Sequence, residues 1–240
     1  MGSLTDGARL VGVASGNDID YLARWRLTKK KQMRDWPSNT FVGGHIVLDF
    51  LNTGGGDTKV RDVERLTSYD DLLSWSTAAG IIDDSEYAAL ASAAEKSPRA
   101  AKRCLDELTP QRESLYRYVL ASINGMPVAE LDRRQLEESF HKASAQAQLV
   151  ASSGQLAEWK VDVKKAGLSL IRFRLDLAAS SFVTDPASAD IRQCEMCSWF
   201  FLDSSASKRR RWCSMAVCGN RAKGQRHYHR NRESQKAGEA

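Results

Sequence analysis

The segment CEMCSWFFLDSSASKRRRWCSMAVC, residues 194–218, contains four of the five cysteines of the chain. They form two close pairs, Cys194-x2-Cys197 and Cys213-x4-Cys218, with fifteen residues between the pairs. This spacing is typical of a four-thiolate zinc site, because each short pair presents two sulfur atoms to one metal ion. We therefore predict one structural Zn²⁺ held by these four cysteines. Four thiolates leave no coordination position for a catalytic water.

The residues between the two pairs, 198–212, have aromatic residues on each side of a polar DSSAS turn, which predicts a hairpin that brings the pairs together. Two disulfides, four unrelated thiols, or His227 or His229 in place of one ligand are the alternatives. The chain has no signal-peptide pattern and no apolar run long enough to span a membrane. We therefore expect a cytoplasmic protein, a setting that disfavours structural disulfides. The fifth cysteine, Cys104, lies in a helical pattern and is interpreted as a buried apolar residue.

Positive charge is concentrated in the same part of the chain. Between Ser207 and Arg232 there are nine Lys or Arg residues and no acid, whereas the rest of the chain has 26 basic and 30 acidic residues. This asymmetry predicts a polyanionic partner, nucleic acid first, although a solvated basic tail has the same composition. The segment after Cys218 has a helical pattern that places several of the basic residues on one face. The predicted nucleic-acid contacts are Arg209, Arg210, Arg211, Arg221, Lys223, Arg226, His227 and Arg230.

Upstream of the cysteines, the pattern predicts an α+β fold that is mostly helical and contains short β-hairpins. Apolar alternation at residues 46–51 predicts a strand, paired with a second short strand near Val60. Turn residues around 153–154 predict another hairpin. Five helices are expected, two of them starting at Ser68 and Asp83, and the others covering residues 98–124, 128–148 and 166–184.

Four polar residues in the helical part are candidates for a ligand site. Asp49, Asn52 and Thr53 lie at the end of the predicted strand, beside three glycines. Asparagine, threonine and glycine are also common in ordinary turns. Arg112 falls on the apolar stripe of a predicted helix, and a buried arginine needs either a carboxylate or a ligand anion. An ion pair with Asp49 or another acid is the structural alternative. No nucleophile, catalytic metal set or phosphate-binding loop is evident, so we do not expect an enzyme.

Two stretches of the chain resemble known families. Residues 194–230 closely resemble the CGNR zinc finger, through both cysteine pairs, FLDSS at 201–205, RRWCSM at 210–215 and CGNR at 218–221. LDFLNT at 48–53 and LTPQRESLYRYV at 108–119 resemble the ABATE domain. The family's usual LN on the fourth helix reads Leu136-Glu137 here. The resemblance implies a bacterial, stress-related transcription regulator whose finger binds DNA and whose N-terminal domain senses a ligand.

The residues and the resemblance together predict three regions. Residues 1–38 are expected to be a disordered or loosely ordered extension, with translation starting at Met1 or Met33. Residues 39–185 are expected to form the ligand-sensing domain, and residues 190–234 a small treble-clef-like finger of hairpin and helix. The predicted function is DNA binding, and the alternatives are RNA binding, a protein-interaction finger or an enzymatic N-terminal domain. The lack of an RRM-type aromatic motif favours DNA over RNA.

Overall fold

The computed structural model of the protein describes residues 34–151, 154 and 156–238, with side chains up to residue 232. The predicted N-terminal extension therefore lies almost wholly outside the described residues, as do Met33 and Ser153. The compact unit begins at Asp35. Trp36 is already buried and donates a hydrogen bond from Nε1 to Ser74 Oγ at 2.9 Å.

The described part of the chain is mostly helical, as predicted. Its helices are α1 Ile46–Leu51, α2 Tyr69–Ala78, α3 Asp84–Lys96, α4 Pro98–Ile123, α5 Glu130–Gln146, α6 Val163–Ala166, α7 Leu170–Thr184 and α8 Asn220–Gly238. Single 3₁₀ turns occupy Ser38–Thr40, Gly167–Ser169 and Pro186–Asp190, and a π-helical turn occupies Met215–Gly219. No helix in this described part is long and apolar enough to cross a membrane.

The strands form two small antiparallel pairs. Strand β1 Ala147–Val150 pairs with β2 Glu158–Val161, which confirms the hairpin predicted in this region. Strand β3 Ile191–Gln193 pairs with β4 Phe200–Leu202. The second pair closes around the first two cysteines, so the hairpin predicted across residues 198–212 is wrong. Residues 209–212, the expected second arm of that hairpin, form no strand. Their backbone lies beside the first cysteine pair instead, where Arg211 O accepts a hydrogen bond from Glu195 N at 3.0 Å.

Local sequence signals account for several helix ends. Ser68 and Asp83 cap α2 and α3, and each side chain accepts backbone hydrogen bonds in a reciprocal capping box. Gly80 follows α2 with φ of +71°, and Gly125 follows α4 with φ of +63°. Glycine adopts this left-handed conformation without a steric penalty, which is why both helices end there.

Residues 46–51 form a helix, which contradicts the predicted strand. His45 caps this helix by accepting a hydrogen bond from Val47 N at 3.2 Å. Val47, Leu48, Phe50 and Leu51 are all buried, so α1 has no polar face and its sequence shows no helical period. The predicted partner strand near Val60 is also wrong, because Val60 is 63% exposed and belongs to no strand. In its place, an isolated antiparallel bridge pairs Gly54 with Glu64.

One apolar core lies where the helices meet the second strand pair. Apolar residues of α1, α4, α5 and α7 pack together with Ile191 of β3 and Phe200 of β4. A smaller core surrounds the four cysteines and contains Trp199 and Phe201. Neighbouring residues of β4 therefore point into different cores: Phe200 packs among the helices and Phe201 packs beside the cysteines.

Candidate zinc centre and nucleic-acid surface

The four predicted ligands converge on one point. The sulfur atoms of Cys194, Cys197, Cys213 and Cys218 all lie within 4.8 Å of one another, and all four residues are buried. Three Sγ–Sγ separations are 3.6–3.7 Å. A zinc ion with Zn–S bonds of about 2.3 Å at the centre of a tetrahedron places its sulfurs about 3.8 Å apart. A disulfide requires about 2.05 Å. The four cysteines are thus positioned to bind one zinc ion, and the donor set is a closed, structural one.

The backbone around each cysteine pair is held by short local bonds. Cys194 N donates to Trp199 O at 2.9 Å, which closes the first turn. Ser214 caps the π-helical turn that contains Cys218, and Gly219 N donates to Ser214 O at 3.0 Å. Between the pairs, the Asp203 carboxylate accepts from Ser205 Oγ at 2.5 Å and from Arg210 N at 3.0 Å. These bonds fix the DSSAS turn, and they lower the pKa of Asp203.

The thiols also influence one another. Hydrogen bonds from Cys197 and Cys213 lower the pKa of Cys194. Interaction with the neighbouring sulfurs raises the pKa of Cys213. A bound zinc ion removes these differences in protonation, since a coordinating thiol is deprotonated outright.

Arg221 belongs to the zinc centre. Its guanidinium lies 3.4 Å from Cys218 Sγ and 3.3 Å from Met196 O, donating to both. Four thiolates and one Zn²⁺ carry a net charge of −2, and this guanidinium offsets part of it. Arg221, predicted as a nucleic-acid contact, therefore packs on the zinc site.

The other predicted nucleic-acid residues divide into two groups. Arg210 donates from Nε to Trp212 O at 2.9 Å and lies 4.4 Å above the Phe201 ring. Arg211 forms a bidentate ion pair with Glu195 at 2.5–2.6 Å. These two arginines therefore brace the finger. The second group lies on the exposed surface, and its members are Arg209, Lys223, Arg226, His227 and Arg230.

The exposed group centres on α8, which confirms the predicted helix after Cys218. Lys223, Arg226, His227 and Arg230 are three or four residues apart, so they share one face of the helix. The helix begins two residues after the ligand Cys218. The zinc centre therefore fixes the start of a helix with a basic, exposed face, and a positive surface of this kind suits a phosphate backbone.

The four predicted ligand residues in the helical region all have partners within the protein. Asn52 uses its side chain twice, accepting from Phe200 N and donating to Phe200 O, both at 2.9 Å. Asp49 accepts from Gly43 N at 2.8 Å, and burial raises its pKa to about 6. Thr53 Oγ1 accepts a hydrogen bond from Arg112 at 2.8 Å. The structure thus brings Thr53 and Arg112 into contact, while a ligand role for any of the four stays a prediction.

Arg112 is 3% exposed and is paired with carboxylates. It makes a bidentate ion pair with Glu64 at 2.5–2.9 Å and a further bond to Glu113 at 2.9 Å. Burial alone would lower the pKa of Arg112, but its bonds to these two acids outweigh that effect and raise it. The sequence predicted Asp49 or another acid as the structural partner of this arginine, and the acids observed are Glu64 and Glu113.

Sequence reasoning missed the segment that joins the helices to the zinc centre, residues 54–66, which we call the glycine loop. Lys59 donates to Cys194 O, and Ser198 N donates to Thr58 O at 2.8 Å. Trp199 Nε1 donates to Gly54 O at 3.2 Å. On its other side the loop places Arg61 3.7 Å above the Tyr116 ring of α4. The three successive glycines are the signal that could have indicated this close contact.

Gly56 shows why glycine is needed in this loop. Its φ is +108°, and a Cβ there would lie 2.5 Å from the Trp199 ring. We expect Gly56→Ala to destabilise the protein by about 3 kcal/mol, because backbone strain and a clash with an indole ring act together. Gly80→Ala is the matched control, since Gly80 also has a positive φ (+71°) but nothing within 4 Å. We expect it to cost about 1 kcal/mol. Urea unfolding measures both, and equal losses would contradict the close-contact explanation.

Taken together, a helical region carries a zinc finger whose four cysteines enclose one metal position and whose terminal helix is basic. Comparison with known families agrees with this class of protein. Residues 44–186 match the ABATE family model, which is described as "Putative stress-induced transcription regulator". Residues 191–231 match the CGNR zinc finger. The chain belongs to the ABATE family and carries a CGNR zinc finger. No curated protein matches it. The two families support a regulatory, nucleic-acid-binding role.

Proposed function

We propose that the chain is a cytoplasmic transcription regulator that binds DNA through the exposed basic face of α8. The observation that carries the proposal is that the basic residues of the finger fall into two groups with different contacts. Arg210, Arg211 and Arg221 are bonded to other parts of the finger, whereas Lys223 and Arg226, on a helix that starts at the zinc centre, make no ion pair within the described residues. Charges that the finger does not need for its own folding are available for phosphate contacts.

DNA is favoured over RNA because a helix mounted on a zinc centre is a common way to enter the major groove. Sequence-specific RNA binding usually depends on aromatic side chains that stack on unpaired bases. Tyr228 is an exposed aromatic residue on α8, but the Arg232 guanidinium lies 5.8 Å above its ring. An RNA-binding finger and a protein-interaction finger are the alternatives that the binding experiment distinguishes.

The second half of the proposal is that the helical region senses a small ligand. The glycine loop supports it, because this loop contacts α4 on one side and the first zinc turn on the other. A ligand that shifts the helices would therefore also shift the glycine loop and the zinc centre, which fixes the start of α8. Ligand binding should therefore change the affinity for DNA, and DNA should change the affinity for the ligand by the same factor.

Phosphate contacts predict a strong salt dependence. If α8 and its neighbours neutralise four or five phosphates, log K should fall with log[salt] at a slope of roughly −4 on duplex DNA. Replacing Lys223, Arg226 and Arg230 together by alanine should flatten the slope by about two to three units, at about 0.9 per contact. Fluorescence anisotropy across a salt series measures the slope, using duplex and single-stranded DNA and RNA of matched sequence.

The control removes three exposed positive charges from the helical region, through the triple substitution of Lys142, Lys164 and Lys165 by alanine. This variant has the same net charge as the α8 triple variant, and it should keep the wild-type slope. Both variants should keep their zinc, since no zinc ligand is changed. Equal slopes for the two variants would contradict the assignment to α8. Preference for single-stranded RNA would favour the RNA alternative, and salt-insensitive binding would favour a protein partner.

A further inference from the structure

We propose that a cleft between α7 and the β1–β2 hairpin binds a planar lipophilic cation. This inference rests on the ligand-sensing half of the proposed function and gives it a location and a chemical class. The cleft has a volume of about 1180 Å³. Sites for drug-sized molecules have about 300–1,000 Å³, so a ligand of several fused rings fits. None of the four ligand residues predicted from the sequence lines the cleft.

One wall of the cleft is an uncovered apolar face of the hairpin. Residues two apart on a strand share a face, so Trp159 lies on the same side of β2 as Val161. Val161 is 2% exposed and anchors the hairpin in the core, whereas Trp159 is 65% exposed. Ile81 and Leu177, both half-buried, also line the cleft. A large aromatic ring held at the edge of a concave surface is a platform for stacking.

The basic residues of the cleft are not available to an anionic ligand. Arg174 is bound by the Glu86 carboxylate at 2.6 and 2.7 Å and also donates to the carbonyl oxygens of Ile81 and Val161. These bonds fix the guanidinium and neutralise its charge. Lys160 is likewise paired, with Glu158 at 2.6 Å. Both positive charges are therefore already compensated within the protein.

The acid left over is Asp83. Among the described charged residues that line the cleft, Glu86 and Glu158 are matched by Arg174 and Lys160, so Asp83 gives these residues a net charge of −1. Its Oδ1 accepts from Ser85 N at 2.8 Å and from Glu86 N at 2.9 Å as the cap of α3. Hydrogen bonding to Ser85 lowers the pKa of Asp83, so it is ionised at neutral pH.

An exposed indole and a carboxylate that makes no ion pair within the described residues select the same kind of ligand. Tryptophan is the strongest cation–π partner among the aromatic side chains. The carboxylate attracts positive charge and disfavours negative charge. The half-buried apolar wall contributes by covering the rings of the ligand. A planar cation of several rings satisfies all three features, whereas an anionic ligand lacks the positive charge that the indole and the carboxylate select.

The test uses two dyes with the same xanthene ring system and opposite charge, rhodamine 6G and fluorescein. The zinc-loaded full chain is titrated with each dye by fluorescence anisotropy, without nucleic acid. Rhodamine 6G should bind saturably and fluorescein at least about tenfold more weakly. Trp159→Ala should weaken rhodamine binding by about tenfold, within the range of a desolvated cation–π contact. Asp83→Asn keeps a good helix cap and should weaken it severalfold.

Leu156→Ala is the matched control. Leu156 is 94% exposed and does not line the cleft, so its removal should leave the affinity for rhodamine unchanged. The proposal is overturned by absence of rhodamine binding, by equal binding of fluorescein, or by an unchanged Trp159→Ala variant. A chain that dimerises in sedimentation experiments through Trp159 would also overturn it and assign this face to a second copy. Duplex binding is measured separately, so failure of the cleft leaves the DNA-binding proposal standing.

Discussion

Replacing Cys213 with serine is expected to release the zinc and to lower the stability of the helices as well as the finger. Cys213 Sγ lies 3.6–3.7 Å from the sulfurs of Cys218 and Cys197, so its loss opens the ligand set. Phe200, three residues after Cys197, packs among the helices, and both polar side-chain atoms of Asn52 bond to its backbone. Zinc binding by finger peptides is worth about 10–16 kcal/mol, so we expect a loss of several kcal/mol.

Thermal unfolding followed by far-ultraviolet circular dichroism measures this loss, because most of that signal comes from the helices. Cys104→Ser is the control, since Cys104 lies outside the zinc cluster and is only half-buried. Its melting temperature should change little. A Cys213→Ser protein that has lost zinc but whose helices melt at the wild-type temperature would contradict the proposed coupling between finger and helices.

Replacing Arg112 with leucine is expected to be the second large effect. The guanidinium is buried and holds Glu64, Glu113 and Thr53 together. Removing one partner of a buried ion pair leaves the other charges uncompensated, at a cost of about 3–5 kcal/mol. Glu64 and Glu113 are partly exposed, with 35% and 29% of their side-chain surface accessible, so we expect a value near the lower limit, about 3 kcal/mol. Urea unfolding measures it.

The control for Arg112 is Arg133→Leu on α5. Arg133 also pairs with two acids, Glu130 and Glu137, but 45% of its side chain is exposed. Surface ion pairs contribute about 0–1 kcal/mol, so this variant should stay near wild type. If the Arg112→Leu variant also loses less than about 1 kcal/mol of unfolding free energy and no longer binds an anionic ligand, the ion-pair explanation fails. Arg112 would then be assigned to ligand binding.

Much of the fold was predictable because its signals are local. The capping residues Ser68 and Asp83 and the terminating glycines at 80 and 125 act within a few residues of themselves. The zinc site was predictable for a related reason. The donors come in two short pairs, and the metal's own geometry then requires the pairs to meet, as their sulfurs do.

What could not be predicted depends on contacts between distant residues. Nearly all residues of helix α1 are buried, so its sequence lacks the polar positions at helical spacing that would distinguish it from a buried strand. Glu64 as the partner of Arg112, 48 residues away, has no local signature. The different roles of the basic residues in the finger were not predictable either, because charge along the chain does not show that Arg211 pairs with Glu195.

The central claim is that one zinc ion in a site of four thiolates organises the finger. Elemental analysis of the full chain, purified under reducing conditions and dialysed, tests it most directly. We predict one zinc per folded chain and none in the Cys213→Ser variant. A wild-type chain that is folded but contains no zinc, or a Cys213→Ser variant that retains one zinc per chain, would contradict the claim.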